Sequence, residues 1–122
     1  MKITIDKTPP SNNKFMGNSH NFNAYRKEKE MWHWLIKSAI KEKPEIPFEK
    51  ADIYIKYFFK DSRRRDPDNF SGKMLLDPLV REGIIVDDSF KNIDLHLSAD
   101  VDKQKPRTEI TICEKQEGKN DG

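Results

Sequence analysis

The sequence predicts an α+β domain: a small mixed, largely antiparallel sheet with two main helices packed on one side. Three stretches alternate apolar and polar residues, so each presents a single apolar face. A fourth stretch repeats its apolar residues at helical spacing, and a second helix fits ahead of Gly83. The length of 122 residues suits one hydrophobic core and is too short for two.

Met1 to Asp6 reads as a short strand with Ile3 and Ile5 on one face, ended by Pro9-Pro10. Ser11 to Asn23, rich in Asn, Ser and Gly, reads as a polar loop carrying Lys14 and His20. From Tyr25 to Lys43 a helix is expected, because Tyr25, Trp32, Leu35, Ile36, Ala39 and Ile40 recur on one side; Pro44 and Pro47 end it. Ala51 to Lys60 is the clearest strand, with Ala51, Ile53, Ile55, Tyr57 and Phe59 facing one way. A second helix is expected from about Asn69, and Pro78 either kinks it or opens a fresh helix capped by Asp77. Gly83 stops it, and Ile84-Ile85-Val86 is expected to be a buried run that delivers Asp87 and Asp88. Ile93, Leu95 and Leu97 mark a further strand, and Arg107 to Glu114 a last one with Thr108, Ile110 and Ile112 on one face. The domain is expected to span residues 1–114, and the polar tail 115–122 to be disordered.

Charged residues make up 36% of the chain, yet the formal balance is only +2, so affinity for a polyanion must come from local clustering. Cys113 is the single cysteine, which excludes an internal disulfide framework and points to a reducing, cytoplasmic setting. No apolar run is long enough to span a membrane, and the start lacks the apolar core of a signal peptide. No internal repeat is present.

The chemistry concentrates in Arg63-Arg64-Arg65-Asp66-Pro67-Asp68-Asn69 and, a helix's length later, Gly83-Ile84-Ile85-Val86-Asp87-Asp88. Arginines beside carboxylates are what holding a divalent cation against a phosphodiester requires: the arginines take the polyanion and the aspartates take the metal. Pro67 biases Asp66 away from helical geometry, so Asp66-Pro67-Asp68 is expected to be extended with both carboxylates on one side. Two carboxylates that close resist joint ionisation unless a positive charge compensates, and Mg²⁺ is the usual compensation, with Mn²⁺ as its substitute. The competing reading makes Asp68 or Asn69 a helix cap and leaves Asp66 solvated. Lys73 and Asp77, four apart, would share a helix face. Lys73 would then serve either as a positioned cation or as half of a surface ion pair.

Other sites are excluded by spacing. Phe70 occupies the ligand position that an EF-hand loop opened by Asp66 and Asp68 would need. His20, His33 and His96 lie in no zinc spacing, and no Gly-rich phosphate loop or nucleophilic Ser or Cys motif is present.

Pro9-Pro10-Ser11-Asn12-Asn13, the arginine-led Asp-x-Asp-Asn, the following lysine, Asp-x-Leu and the Gly-led apolar run into Asp-Asp together resemble the RusA family. These are phage- and prophage-derived Holliday junction resolvases, and the resemblance runs over nearly the whole chain except the tail. It implies a single nuclease domain, metal-binding acids at Asp66, Asp68 and Asp88, and a catalytic lysine at Lys73. Asp87 would be an auxiliary ligand or merely a neighbour. The resemblance further implies a homodimer that binds four-way DNA junctions and nicks them in symmetric pairs, in the cytoplasm of a bacterial host or encoded by a prophage. Arg63, Arg64 and Arg65 would grip phosphates, with Lys14 and Asn13 adding contacts. The chain departs from the family's pattern by one extra residue, placed at Ser71-Gly72, and by Pro78, where a helix former is expected. Two other readings stand beside this one: a non-catalytic nucleic-acid-binding phage protein, and a nuclease for other branched DNA such as flaps.

Overall fold

The computed structural model describes residues 1–15 and 21–115. Four strands form one mixed sheet: β1 (Lys2–Ile5), β2 (Ala51–Phe59), β3 (Ile93–Val101) and β4 (Arg107–Glu114), in the order β1-β4-β2-β3. β4 runs antiparallel to both β1 and β2, whereas β2 and β3 are parallel. Two helices, α1 (Asn21–Ala39) and α2 (Lys73–Arg81), cover one face, as the sequence predicts. A parallel pair needs a long crossover, and α2 supplies it between β2 and β3.

The core lies between sheet and helices. Ile3 and Ile5, alternate residues from Ala51 to Phe59, and Ile110 and Ile112 meet Trp32 and Ile36 from α1 and Leu75 and Leu79 from α2. Thr108, on the apolar face of β4, is fully buried because its hydroxyl donates to the Lys7 carbonyl at 2.7 Å. The helices run the same way: Lys29 on α1 pairs with Asp77 at 3.1 Å, and His33, one turn on, meets Glu82 at 2.7 Å just past α2. Among the described residues, no helix is long and apolar enough to cross a membrane.

Several expectations are corrected. The polar loop from Ser11 contains a 3-10 turn at Asn12–Phe15, and α1 begins at Asn21, a turn before the first apolar residue that signals it. α1 ends at Ala39, well before Pro44, because the following chain is drawn into tertiary pairing: Lys43 reaches Glu82 at 2.9 Å and Phe48 bridges Ile85. α2 is one helix with Pro78 inside it, starting at Lys73 and not near Asn69. Ile84 and Ile85 are buried as expected, but Val86 is 48% exposed. Residues 116–122 of the expected tail, and His20, lie outside the described residues.

Candidate functional site

Two loops flanking α2 carry the site residues. The first joins β2 to α2, and aromatic packing pins it down. Phe70 sets its ring edge-on to Phe59 and Tyr57, and the Tyr57 hydroxyl donates to the Phe70 carbonyl at 2.9 Å. Burial pushes the Tyr57 hydroxyl pKa up, so it remains a donor across the physiological range. Asn12 crosses from the N-terminal turn and donates to the Asp68 carbonyl and the Ser71 hydroxyl, each at 3.3 Å.

Within this loop Asp66 is extended (φ −103°, ψ 142°), as the following proline dictates. The extension stops there. Pro67–Asn69 is a 3-10 turn, closed by Asn69 N–H to the Asp66 carbonyl at 3.0 Å and Phe70 N–H to the Pro67 carbonyl at 3.1 Å. Strand alternation therefore does not relate Asp66 to Asp68, contrary to expectation, because Pro67 restricts its predecessor while its own fixed φ suits the turn. The Asp66 side chain forms no capping hydrogen bond to this turn. Asp68 is exposed and its carboxylate has no partner among the described residues; Asp66 is half-exposed and paired only with Arg64, at 3.2 Å.

The three arginines divide. Arg63 and Arg64 project into solvent at 76% and 87% exposure, while Arg65 is held at 17%. Arg65 donates to the Asp61 carboxylate at 2.8 Å and to the Asp61 and Arg63 carbonyls, with its guanidinium over the Phe59 ring. Arg65, and then the Arg63 backbone N–H, hold the Asp61 carboxyl below the usual carboxylate range. Asp61 was not singled out from sequence, although its four-residue spacing to Arg65 was legible there.

Gly72 turns the chain into α2 at φ +84°, the left-handed conformation, where a Cβ would run into Ile55 and come up against Tyr57 and Leu97. Lys73 then opens the helix, exposed and with no ion pair among the described residues; Asp77, its expected partner, is taken by Lys29. Asn13 and Lys14 are exposed on the N-terminal turn, Lys14 with its ammonium 5.8 Å from the Phe15 ring centre.

The second loop, from α2 to β3, presents Asp87 and Asp88, both exposed. Asp87 accepts a hydrogen bond from the Asp88 backbone N–H at 2.9 Å, and the Asp88 carboxylate has no partner among the described residues. A turn closed by Asn92 N–H to the Ser89 carbonyl, with Asn92 bonded to Glu49, fixes this loop to the start of β3. Asp88 lines a groove with Leu76, Phe90 and Ile93 to His96, and Asp66 lines another with Tyr57, Phe59 and Leu97 to Ala99.

The two acid pairs are therefore at opposite ends of α2, whose nine residues rise about 12 Å. Among the described residues, no group of three or more His, Cys, Asp or Glu side chains could hold one metal ion. The donor chemistry fits a hard divalent ion, being all oxygen, exposed and largely free of partners. Within one chain the geometry supplies only the Asp66 and Asp68 turn, without Asp88.

No protein-family model matches the chain, and no curated protein matches it.

Proposed function

We propose that the chain is a metal-dependent endonuclease of branched DNA, cutting four-way junctions as the RusA family does. The ordered motifs of the sequence support this reading. The observation that carries it is the company around α2's start: Asp66, Asp68, Lys73, which has no ion pair among the described residues, and the solvent-facing Arg63 and Arg64 lie within one short loop and helix end. Such a grouping serves phosphodiester hydrolysis, with cations for the phosphates and carboxylates for a divalent ion. Asp66 and Asp68 would hold Mg²⁺ or Mn²⁺, which supplies Lewis acidity and an activated water when bound. Arg63 and Arg64, held only in exposed ion pairs with Asp61 and Asp66, would exchange those partners for backbone phosphates on either side of the break. Lys73 offers its ammonium to the negative charge that grows on the phosphate oxygens as the bond is attacked.

The separation of Asp88 from Asp66 and Asp68 within one chain favours a second reading, a branched-DNA-binding protein without nuclease activity. Labelled four-way, flap and linear duplex DNA, with and without Mg²⁺, separates the two. Under the first reading branched DNA is cut only with metal, and Asp66→Asn, Asp68→Asn and Asp88→Asn each abolish cutting while leaving binding intact or tighter. Binding without cutting in Mg²⁺ and in Mn²⁺ overturns it in favour of the second.

A further inference from the structure

We infer that the open edge of β1, with the cavity beside it, takes an extended acidic segment of a partner protein, which joins the sheet as a further strand.

Hydrogen-bond parity decides which backbone groups of β1 are free. The Met1 nitrogen donates to the Ile112 carbonyl at 3.1 Å, and the Ile112 N–H returns to the Met1 carbonyl at 2.8 Å. In an antiparallel ladder such bonded pairs alternate with non-bonded ones, so Ile3 bonds to Ile110 and Ile5 to Thr108. The N–H and C=O groups of Lys2 and Thr4 therefore point away from β4, toward the edge of the sheet. Both residues are exposed, and no other described strand pairs with them. They offer two donors and two acceptors about 7 Å apart, the repeat at which another extended backbone bonds.

Between the start of β1 and the end of α1 lies a cavity of about 530 Å³, within the range of ligand clefts. Its apolar lining is the buried Ile3 together with Ile40 and Phe48, which pack against the core. Apolar side chains are also exposed around it: Met1, part of the lining, at 41%, and Ile46, in the loop ahead of Phe48, at 75%. Three lysines, Lys2, Lys41 and Lys43, line the cavity against one acid, Glu42. Lys2 and Lys43 reach Glu109 and Glu82 yet stay 59% and 50% exposed, and Lys41 has no ion pair among the described residues.

These features select the occupant. A lysine on an edge strand discourages neutral strands from pairing, and an incoming strand that carries carboxylates removes the penalty. The Lys2 and Thr4 side chains lie on the face of the sheet that the helices leave uncovered, whereas Ile3 lies on the helix side. An added strand alternates in the same way. Its side chains on the helix side enter the cavity and should be apolar; those on the other side meet Lys2 and should be acidic. A polynucleotide has no backbone N–H to pair with the edge, and a second copy of β1 would bring the same lysines to it. An acidic, alternating peptide is the occupant that uses edge, cavity and charge together. The edge lies across the sheet from β3, whose residues line the grooves of Asp66 and Asp88, so the inference stands apart from the metal-site reading.

Selecting short random peptides, displayed on phage, against the whole protein tests this. Enriched peptides should alternate acidic and apolar residues. Lys41→Glu, at an exposed position, should bind them about tenfold more weakly. Thr4→Pro removes one edge N–H without touching the ladder to β4, so it should weaken binding while melting close to wild type. A readout that leaves the protein unaltered is N-methylation of a selected peptide at alternate amides. One of the two alternate sets should abolish binding and the other should be tolerated, and amide exchange at Lys2 and Thr4 should slow in the complex. Failure to enrich any peptide overturns the inference, as do enriched peptides without acids or binding indifferent to both sets of N-methyl groups. Displacement of bound peptide by single-stranded or four-way DNA overturns it in favour of a nucleic-acid surface.

Discussion

The Arg65 guanidinium lies 4.1 Å from the centre of the Phe59 ring, in line with the last residue of β2 and bonded to Asp61 at 2.8 Å. A run of three arginines that looks uniform in sequence thus does two jobs. Arg65 anchors the loop, and Arg63 and Arg64 stay exposed, in surface ion pairs with Asp61 and Asp66. Arg63→Ala with Arg64→Ala should leave folding intact and lower the salt dependence of DNA binding by a log–log slope of about 0.9 per lost phosphate contact. Arg65→Ala should leave that slope unchanged and lower stability by about 1–3 kcal/mol, because it strips a stacked cation and a charged hydrogen bond. Salt titrations of binding, with urea melts of each variant, check the division.

Glu82 supports α2 from the other end. It accepts hydrogen bonds from Lys43 at 2.9 Å and His33 at 2.7 Å, and its side chain is only 9% exposed. The Lys43 bond first, then the His33 bond, holds the Glu82 carboxyl below its ordinary value. A depressed carboxylate contributes stability that is fully present above its unfolded pKa of about 4.3 and is lost as pH falls through the folded value. Glu82→Gln should therefore destabilise the protein at pH 7 by about 1.5–3 kcal/mol. The gap between variant and wild type should close as pH drops below about 4. Urea midpoints measured from pH 7 to pH 3 check this, and a gap that stays constant would show that the carboxylate charge is not what matters.

Local pattern made much of the fold legible. The alternation of Ala51, Ile53, Ile55, Tyr57 and Phe59 is the buried face of β2, and the bounds of β4 follow from Thr108, Ile110 and Ile112. Alternation does not encode strand direction, so the parallel pairing of β2 with β3 appears only once α2 is seen to cross between them. At the site, Pro67 fixed the conformation of Asp66 alone. The turn after it depends on Asn12, 56 residues from Asp68, and on Phe70 packing against β2, which no local spacing reveals. The separation of Asp88 from Asp66 was equally hidden, because it follows from α2 staying one helix through Pro78.

The two glycines around α2 offer a paired test of that geometry. Both have positive φ, +84° at Gly72 and +77° at Gly83, but a Cβ at Gly72 would meet Ile55 Cδ1 at 2.7 Å while one at Gly83 would meet nothing within 4 Å. Ile55 is fully buried, so its Cδ1 would have to shift within the packed core. Gly83→Ala should cost about 1–2 kcal/mol of backbone strain. Gly72→Ala should cost about 2–5 kcal/mol, since overpacking against the core adds to the same strain. Equal destabilisation of the two variants in thermal melts would contradict the tight approach of Gly72 to β2.

Gly72 also aims Lys73, the residue with the sharpest consequence for mechanism. Lys73 is exposed, opens α2 and has no ion pair among the described residues, so Lys73→Ala should leave stability unchanged. Under the proposed function its ammonium acts on charge that builds only as the phosphate is attacked, so losing it raises the barrier without weakening ground-state binding. Single-turnover cleavage of a four-way junction at saturating enzyme and Mg²⁺ isolates that step. The rate should fall by about 10²–10³, the usual effect of removing one positioned electrostatic donor, with junction affinity nearly unchanged. Lys73→Arg, which keeps the charge in a different shape, should recover part of the loss. A Lys73→Ala rate within about threefold of wild type, far short of that loss, would make Lys73 a surface residue with no part in the chemistry.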